Sequence, residues 1–473
     1  DRRISLPLHV RCPFRRPKKE RDDRTFFLWR FGVQTASVGK TFLRYTFFSV
    51  LGMVGISCYI LADTFFIARG VGRDGLTALN LALPAYSVLH GTGLMIGMGA
   101  ATRFSLLQGR GETEKGNRVF TSALCFALAF GVLYLLCGLF LARPISYALG
   151  ARGKVLDMTA DYLGTFLKFS PAFMVNNVML CFIRNDKNPN LAMISMLSGS
   201  FLNIALDYVF VFPCNMGMFG AALATGFAPM LGVLLSSVHF LQRKNTFRLV
   251  RALPSFRHLG DMCSLGVSSF ITELSSGLVI LVFNVIILRL NGDVGVAAYG
   301  VIANISLVVL SVFTGIAQGL QPVVSRYLGQ GEEKNAAKAM KLALLTAAGF
   351  ALSAYLFGAL FANPIVNIFN RDNDAQLTQI AVHGLYLYFA GFVFAGVNIV
   401  TAVYFGGIDL PRESFAISLM RGFIFIIPAA FALSALFDMT GVWLSFPVAE
   451  ILTACAAVFL LRRHRKKNRL RLS

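Results

Sequence analysis

Long apolar stretches, each followed by a short polar segment, recur along almost the whole chain. Each stretch is about 20 residues or longer, which allows an α-helix to cross roughly 30 Å of hydrocarbon. The stretches lack the two-residue alternation of barrel strands, and backbone amides in lipid need partners within their own segment. The pattern therefore predicts membrane-spanning helices.

Twelve spans are predicted in this way, and two of them exceed the thickness of a bilayer. The spans of the first half fall at about 43–68, 76–107, 118–142, 156–183, 189–212 and 217–241. Those of the second half fall at about 262–289, 296–327, 337–361, 376–406, 413–436 and 440–461. The expected fold class is an all-α integral membrane protein with twelve transmembrane helices.

The chain also resembles itself at an offset of about 220 residues. "LLQGRGETEKGN" (106–117) aligns with "RYLGQGEEKNAA" (326–337), and "LFLARPISYAL" aligns with "ALFANPIVNIF". Each copy holds six predicted spans, and an even number places both copies in the membrane in the same orientation. We therefore expect two six-helix bundles that form a parallel repeat, an arrangement typical of transporters that bind cargo between two lobes.

This repeat predicts the domain organisation. The bundles are an N-lobe at 43–241 and a C-lobe at 262–461, joined by a basic linker at 242–261. Residues 1–42 form a basic tail that we expect to be disordered, and residues 462–473 form a second basic tail. The first tail contains no apolar h-region, so it does not read as a cleaved signal peptide.

Composition and charge agree with a membrane protein and add its orientation. Hydrophobic residues make up 56% of the chain and charged residues 14%, and the mean hydropathy is +0.65. Of the Lys and Arg residues, about 33 lie in the tails and the loops of one side, against roughly 7 in the opposite loops. The charge asymmetry predicts that the basic side, with both termini, is cytoplasmic. A net charge of +21 without an aromatic-interleaved basic patch does not favour nucleic-acid binding.

The eight cysteines lie mostly within spans and form no C-x-x-C pair, and the six histidines never appear as H-x-x-x-H. These patterns favour apolar packing and give no metal-binding signature. We expect no cofactor.

Ionisable residues inside apolar spans cost about 2.5–3.5 kcal/mol on insertion scales and are therefore candidates for function. Asp63 lies near the end of the first span, and Asn203 and Asp207 lie four residues apart on one face of the fifth. We expect the Asn203 amide to meet the Asp207 carboxylate. Two alternatives stay open: Asp63 is satisfied by Arg69 at the helix end, and the Asn–Asp pair is only a structural clamp between helices.

The second copy of the repeat is apolar where the first is acidic. At the 220-residue offset, these three positions are occupied by Phe283, Phe423 and Ile427. A symmetric scaffold would not require this difference. Two carboxylates close together in one lobe would form a proton-exchangeable or cation-binding pair.

Three further residues are weaker candidates. Thr225 could add a hydroxyl to the site, although a Thr in a span often bonds its own helix backbone. Tyr162 opens the fourth span and reads equally as a site residue or as part of an aromatic belt. Glu273 is the clearest buried acid of the C-lobe, with a functional and a structural role equally open.

Other charged residues in the spans have simpler expected roles. Glu450 and Lys168 are expected to be satisfied by an internal pair or by snorkelling. Arg184 and Arg421 lie near the predicted cytoplasmic ends, where orientation and headgroup contact account for them.

Four stretches together carry a family resemblance: "LADTFFIARGVG", "GMGAATRFSLLQGRGE", "IRNDKNPNLAMISMLSGSFLNIALDYVFVFPCNMGMFGAALAT" and "GLQPVVSRYLGQGEEKNAAKAMKLAL". They resemble the multidrug and toxic compound extrusion (MATE) family, in order, from about Thr41 to Leu461. The resemblance implies a monomeric, multi-pass antiporter of the inner (plasma) membrane. It would export small amphipathic, often cationic compounds in exchange for H⁺ or Na⁺.

The nearest branch of that family is the bacterial one with an acidic amino-terminal lobe. By this resemblance, the ion-coupling network comprises Asp63, Asn203, Asp207 and Thr225, with Tyr162 as a further match. Other members couple through acids on helices seven and ten. Glu273 could supply the first of these, but the tenth span contains no acid, which favours coupling in the N-lobe.

Taken together, the sequence predicts a secondary multidrug antiporter that works by alternating access and is not an enzyme. Its expected partners are small amphipathic substrates and the lipid bilayer. A lipid-linked saccharide flippase of related architecture stays open as an alternative, although it would need a cationic cavity at which only Lys168 hints. An intramembrane enzyme is a further alternative, although the spans contain no catalytic motif.

Overall fold

The computed structural model describes residues 37–251, 254, 256–370 and 374–472, and within these residues all regular secondary structure is helical. The helices of the first half are α1 (Val38–Gly70), α2 (Arg73–Gly109), α3 (Thr113–Phe140), α4 (Ala142–Ala148), α5 (Gly153–Lys168), α6 (Ser170–Asn185), α7 (Pro189–Val211) and α8 (Gly217–Leu241). The second half contains α9 (Phe256–Gly329), α10 (Glu333–Leu360), α11 (Ala362–Phe369), α12 (Ala375–Ala390), α13 (Phe392–Gly407), α14 (Pro411–Leu419), a π-helical turn (Met420–Ile424) and α15 (Ile426–Leu472).

The described helices account for all of the predicted membrane crossings. Eight helical segments are long and apolar enough to cross a membrane, or ten if the bent pairs α5/α6 (53°) and α12/α13 (43°) each count as one span. Two of the eight, Phe256–Gly329 and Pro411–Lys466, are 74 and 56 residues long. The backbone breaks inside them, at Gly292 and at Phe437–Asp438, so each supplies two crossings. The predicted all-α fold with twelve transmembrane helices is confirmed.

Glycines at equivalent positions mark the repeat in the backbone. The φ angles are 87° at Gly72 and 61° at Gly292, and 79° at Gly111 and 75° at Gly331. Glycine adopts these conformations without the steric cost that a side chain would add. The two halves therefore turn between helices at the same places, 220 residues apart.

Each lobe has its own apolar core, and α1 contributes to both lobes. One core is built from N-lobe helices and includes Met262 of α9. The other is built from C-lobe helices and includes Val38, Phe42 and Tyr45, from the first turns of α1. The beginning of α1 is therefore packed against the C-lobe, while its later turns belong to the N-lobe.

The ends of the lobes differ in detail from the predicted boundaries. Helix α1 begins at Val38, within the segment predicted as a tail, whereas residues 1–36 lie outside the described residues. Helix α9 begins at Phe256, within the predicted linker, and α15 continues as a helix through the predicted second tail to Leu472.

The linker between the lobes is packed against the N-lobe. Phe247 is fully buried, and its ring centroid lies 4.5 Å from that of Phe120 and 5.4 Å from that of Phe182. The backbone N–H of Arg248 donates to Oδ1 of Asn117 at 2.9 Å. We call the membrane face that carries this linker and the helix ends at Gly109 and Gly329 the linker side.

The two lobes touch closely on the linker side because glycines allow backbones to meet. A Cβ on Gly99 of α2 would lie 1.9 Å from the carbonyl oxygen of Met262, and a Cβ on Gly266 of α9 would lie 1.9 Å from that of Met95. Only a residue without a side chain fits at these two positions. The α2–α9 crossing therefore brings the N-lobe and the C-lobe into direct backbone contact.

Buried hydrogen bonds join the lobes next to this crossing. Gln321 accepts from Nδ2 of Asn185 at 3.0 Å and donates to Oγ1 of Thr102 at 2.7 Å. Arg184 donates to Oε1 of Gln318 at 2.5 Å. Arg184 is thus buried at the lobe interface. Its position in the sequence had predicted contact with lipid headgroups, and that prediction was wrong. The structure is closed on the linker side by packing and by these polar contacts.

Candidate functional site

Two carboxyl groups lie side by side in the N-lobe, in the half of the membrane away from the linker side. Asp63 is on α1 and Asp207 is on α7, and their side chains lie within hydrogen-bonding distance of each other. The exposed fractions are 8% for Asp63 and 0% for Asp207. Within the described residues, Oδ1 of each is buried without a hydrogen-bond donor. Two carboxylates share such a position only when a proton or a cation neutralises part of their charge.

Asn203 holds Asp207 in place through the helical spacing that the sequence indicated. With its amide oriented to match its neighbours, Asn203 donates from Nδ2 to Oδ2 of Asp207 at 3.1 Å. Its oxygen accepts from the backbone N–H of Thr225 at 3.2 Å. Asn203 is fully buried, so its amide cannot bond to water, and these two bonds supply its partners. They also tie α7 to α8.

The hydroxyl groups of Thr225 and Tyr162 complete this side of the site. Oγ1 of Thr225 donates to the carbonyl of Ala221 in its own helix at 3.0 Å. The Tyr162 hydroxyl, from α5, lies next to the Thr225 side chain. Thr225 therefore bonds its own backbone and also takes part in the polar group. The N-lobe candidates of the sequence all lie in this one group, which we call the acidic cluster: Asp63, Tyr162, Asn203, Asp207 and Thr225.

The alternative partner for Asp63 is not observed. The guanidinium of Arg69 lies over the ring of Phe65, 5.5 Å from its centroid, while the Asp63 carboxyl faces Asp207. Asp63 therefore belongs to the interior of the lobe and not to a helix-end ion pair.

Two tyrosines extend the acidic cluster and were missed by the sequence analysis. The hydroxyls of Tyr59 and Tyr86 lie 3.2 Å apart, and Tyr59 is within electrostatic range of Asp63, Asp207 and Glu273. Tyr59 precedes Asp63 by four residues on α1, and this spacing places both on one helix face. That spacing was the available signal; nothing local in the sequence pointed to Tyr86.

The equivalent place in the C-lobe is apolar. Phe283, the counterpart of Asp63, is buried, and its ring stacks on that of Tyr299 with centroids 5.4 Å apart. The two copies thus differ at this place, acidic in the N-lobe and apolar in the C-lobe, in the structure as well as in the aligned sequence.

Glu273 lies on the first arm of α9 (256–291), across from the acidic cluster in the other lobe and within electrostatic range of Tyr59. It is half-buried and lines a cavity of about 50 Å³ between the lobes, which we call the central cavity. The wall of this cavity includes Leu94 and Met98 from the N-lobe, and Gln318 and Arg421 from the C-lobe. Glu273 is therefore placed to meet a molecule between the lobes.

A second polar network lies inside the C-lobe. Nε of Arg421 donates to Oε1 of Glu450 at 2.6 Å, and Nδ2 of Asn398 donates to Oε2 of Glu450 at 2.7 Å. Arg421 comes from the π-helical turn and faces an internal partner, so the expectation that it only contacts headgroups was wrong. Glu450 is paired with an internal partner, which was one of the two arrangements expected for it. No sequence signal joins these residues, because they come from three different helical segments.

The chemistry of the acidic cluster suits a small hard cation. Its ligands are carboxylate, amide and hydroxyl oxygens, and its interior is closed to lipid by α1, α5, α7 and α8. Such groups bind protons or ions that prefer oxygen, and they give no thiolate or imidazole ligand for a soft metal. Within the described residues, no group of three or more His, Cys, Asp or Glu side chains could hold a metal ion.

Comparison with known proteins agrees with this architecture. The chain matches the MatE family over residues 48–209 and 269–435, one segment in each lobe. It is 25% identical over 434 residues to the multidrug export protein MepA of Staphylococcus saprophyticus, covering 91% of this chain and 95% of the relative. It is 26% identical over 442 residues to MepA of Staphylococcus aureus, with the same coverage.

Solved structures show the same fold. One, described as the outward-facing conformation of a multidrug resistance transporter, superposes with a TM-score of 0.85 at 22% identity, covering 91% of this chain and 96% of the other. Another, a transporter from Pyrococcus furiosus described as having a binding pocket of reversed polarity, has a TM-score of 0.84 at 23% identity and the same coverage. These identities support a common fold and say nothing further about cargo.

Proposed function

Because the chain belongs to the MatE family, we propose that it is a multidrug efflux transporter that exports small amphipathic compounds in exchange for H⁺ or Na⁺. It is a transport protein and not an enzyme. The name of its relatives, multidrug export protein, supports the cargo class. The observation that carries the exchange mechanism is the buried pair formed by Asp63 and Asp207.

The acidic cluster acts as the ion-binding group in this proposal. A proton or Na⁺ between Asp63 and Asp207 neutralises charge that the lobe interior cannot solvate. Asn203 keeps the Asp207 carboxylate aimed at this position, and Tyr162 and Thr225 provide hydroxyls beside it. Release of the ion leaves repelling carboxylates and favours a different packing of α1 against α7.

Coupling requires that the ion binds the two transport states with different affinity. In the structure, the lobes meet on the linker side, and the acidic cluster lies in the opposite half of the membrane. Ion occupancy that alters the position of α1 reaches both lobes, because the first turns of α1 pack into the C-lobe core. We propose that this helix links ion binding to the alternating opening of the central cavity.

The linker side is the proposed cytoplasmic side, in the inner (plasma) membrane. Its loops carry the excess of Lys and Arg that orients membrane proteins. With this orientation the structure is closed to the cytoplasm. The flippase alternative has no comparable support, because Arg421, the cation at the wall of the central cavity, is paired with Glu450.

The test is dye efflux from sealed vesicles that contain the purified protein. We expect an imposed pH gradient or an imposed Na⁺ gradient to drive movement of a cationic dye, and the effective gradient identifies the coupling ion. Vesicles with dissipated gradients are the control. Dye movement that is independent of both gradients would contradict antiport.

A further inference from the structure

A second cavity lies on the linker side, at the junction of the two lobes. Its volume is about 460 Å³, and it is bounded by the end of α2, the beginning of α3 and the first turns of α9. Its polar lining consists of Arg103, Lys115, Arg118, Arg257, His258 and Asp261. We call it the basic pocket. It shares no residue with the acidic cluster or with the central cavity.

The wall of the basic pocket carries more positive than negative charge. Four side chains of its wall are Lys or Arg, against the single carboxylate of Asp261. Arg103 has a partner outside the pocket, Asp409, at 3.6 Å, but both side chains are a third or more exposed, so solvent weakens this pair. Arg118 has no carboxylate partner in the part of the chain that the structure describes. Lys115 is paired with Glu112, also through side chains that are a third or more exposed. Counted with Glu112 and Asp409, three carboxylates stand against the four Lys and Arg side chains of the wall, so one positive charge remains in excess.

The positive-inside rule alone does not account for this arrangement. That rule needs Lys and Arg near the membrane surface and places no demand on how they are arranged. Here the charges come from three separate helices and converge on one concavity. Arginines on separate elements repel one another when they face a common space, and an anion between them removes that cost.

The beginning of α9 adds two features that favour an anion. Arg257 and His258 belong to its first turn, where unpaired backbone N–H groups and the helix dipole attract negative charge. Nδ1 of His258 lies 3.3 Å from Oγ of Ser122 on α3. This contact holds the imidazole against the N-lobe.

The floor of the pocket is apolar. Leu107, Val119 and Met262 line it and are buried. A ring of cations above an apolar floor, at the end of membrane-spanning helices, matches a molecule with an anionic group attached to a less polar body. Basic pockets between helices at the cytoplasmic face are typical sites for phospholipid headgroups.

We propose that the basic pocket binds a phosphate-bearing anion, either the headgroup of an anionic phospholipid or a soluble phosphate ester. Guanidinium groups match phosphate oxygens through paired hydrogen bonds. Arg118 on α3 and Arg257 on α9 bind the phosphate from opposite lobes. The apolar floor receives the less polar part of the molecule next to the phosphate.

Because the wall of the pocket comes from both lobes, a bound ligand affects how the lobes are arranged. This inference rests on the proposed alternating access. A phosphate held by both α3 and α9 binds the state in which the linker side is closed. It has weaker contacts once the lobes separate there. Occupancy therefore shifts the population toward the closed linker side.

The binding test uses purified full-length protein in neutral detergent, where no anionic surface surrounds it. Native mass spectrometry counts the phosphatidylglycerol and phosphatidylcholine molecules that the protein retains. We expect a preference for phosphatidylglycerol, and we expect Arg118→Gln with Arg257→Gln to weaken its retention by about tenfold or more, as for loss of a hydrogen bond between charged groups. Both arginines are exposed, and a thermal melt of each variant checks folding.

The matched control removes two charges from the same side of the other lobe. Lys338 is the repeat counterpart of Arg118, and Lys334 lies beside it in the first turns of α10; both are exposed and lie outside the pocket. Lys334→Gln with Lys338→Gln should retain phosphatidylglycerol as the unmodified protein does. An equal loss in both double variants, or no loss in the pocket variant for either ligand class, would overturn the proposal.

A second arm separates the two sources of phosphate. Inorganic phosphate and glycerol 3-phosphate are titrated into the same detergent sample. Competition that depends on Arg118 and Arg257, without a preference for phosphatidylglycerol, identifies a soluble ligand. A preference for phosphatidylglycerol that neither compound competes with at millimolar concentration identifies a lipid site. Both results support the pocket, and none of these measurements depends on transport activity.

The conformational consequence has its own readout. Spin labels at Arg110→Cys and Gln330→Cys, with the eight native cysteines replaced, report the distance across the linker side. We expect nanodiscs that contain phosphatidylglycerol to favour shorter distances than nanodiscs of phosphatidylcholine, and the Arg118/Arg257 double variant to remove this difference. Equal distances in both lipids would overturn the conformational role.

Discussion

At the scale of residues, the main feature is a carboxyl pair that cannot carry two uncompensated charges. Asp63 and Asp207 are in contact and buried in helices that span the membrane. In such a pair the two protonation equilibria are coupled, so one added proton or cation satisfies both groups. Asn203 donates one hydrogen bond to the pair. In the proposed function, an exchangeable proton or cation provides the rest of the compensation.

Asp207→Asn tests the pair directly. The amide has nearly the same shape but cannot release a proton or hold a cation as a charged ligand. We expect gradient-driven efflux to be lost while the amount of inserted protein is unchanged, measured by drug susceptibility of cells and by immunoblotting of membranes. Asp161→Asn, an exposed acid of the same lobe, should retain efflux. Full drug resistance from the Asp207 variant would exclude the pair as the coupling site.

Asn203→Ala separates coupling from stability. Loss of its two buried bonds should destabilise the protein by about 1–3 kcal/mol, seen as a lower melting temperature, and should also weaken the ion dependence of efflux. Asn398→Ala is the matched variant, since Asn398 is equally buried and bonds Glu450 in the other lobe. It should lower the melting temperature and leave ion dependence intact. Identical ion dependence in the two variants would argue for a structural role alone.

At the scale of elements, the spans are interrupted where the fold needs a change of direction or a close approach. The bends between α5 and α6 and between α12 and α13 lie in equivalent places of the repeat, with angles of 53° and 43°. The crossing of α2 and α9 depends on Gly99 and Gly266, where the backbones touch. Small residues allow such contacts in lipid, where apolar burial provides little drive for helix association.

Gly266→Ala tests the α2–α9 crossing. The added Cβ would lie 1.9 Å from the Met95 carbonyl oxygen, and separation of the lobes relieves this overlap. We expect faster reaction of a cysteine placed at Thr102 with an impermeant maleimide added from the linker side. Gly300→Ala, where no heavy atom lies within 4 Å of an added Cβ, is the control. Unchanged reactivity in the Gly266 variant would mean that the crossing does not close this side.

At the scale of the whole molecule, the two lobes share a topology and differ in chemistry. The N-lobe contains the acidic cluster, whereas the C-lobe has Phe283 at the place of Asp63 and a separate Arg421–Glu450 pair. The lobes are joined on the linker side by backbone contact and by the bonds of Gln321. In the proposed function, the N-lobe binds the coupling ion and the molecule opens along the seam between the lobes.

Gln321→Leu tests the polar part of the seam. The side chain of leucine keeps much of the volume but loses the bonds to Asn185 and Thr102, which are buried contacts between the lobes. We expect the linker side to open more often, which distances between spin labels across the seam would record. Ser445→Ala is the control, because Ser445 is also buried but bonds only Ala429 and Gly441 within the C-lobe. Equal distances in the two variants would contradict a role of Gln321 in keeping the linker side closed.

The amino-acid sequence by itself determined the twelve spans, the duplication and the acidic candidates of the N-lobe. These features are local or periodic: the apolar length of a span, the four-residue spacing of Asn203 and Asp207, and the 220-residue offset are all visible in the order of the letters. The same local reasoning related Asp63 to the nearby Arg69 as one alternative, and it assigned Arg421 to the headgroups.

Only the tertiary structure decided which of these groups meet. Asp63 contacts Asp207 because α1 packs on α7, and Arg421 contacts Glu450 because the last helices pack on each other. The basic pocket exists because α2, α3 and α9 end at the same corner of the molecule. Helical periodicity specifies a face of each helix. The packing of all twelve transmembrane helices decides which helix covers that face, and no short stretch of sequence contains that information.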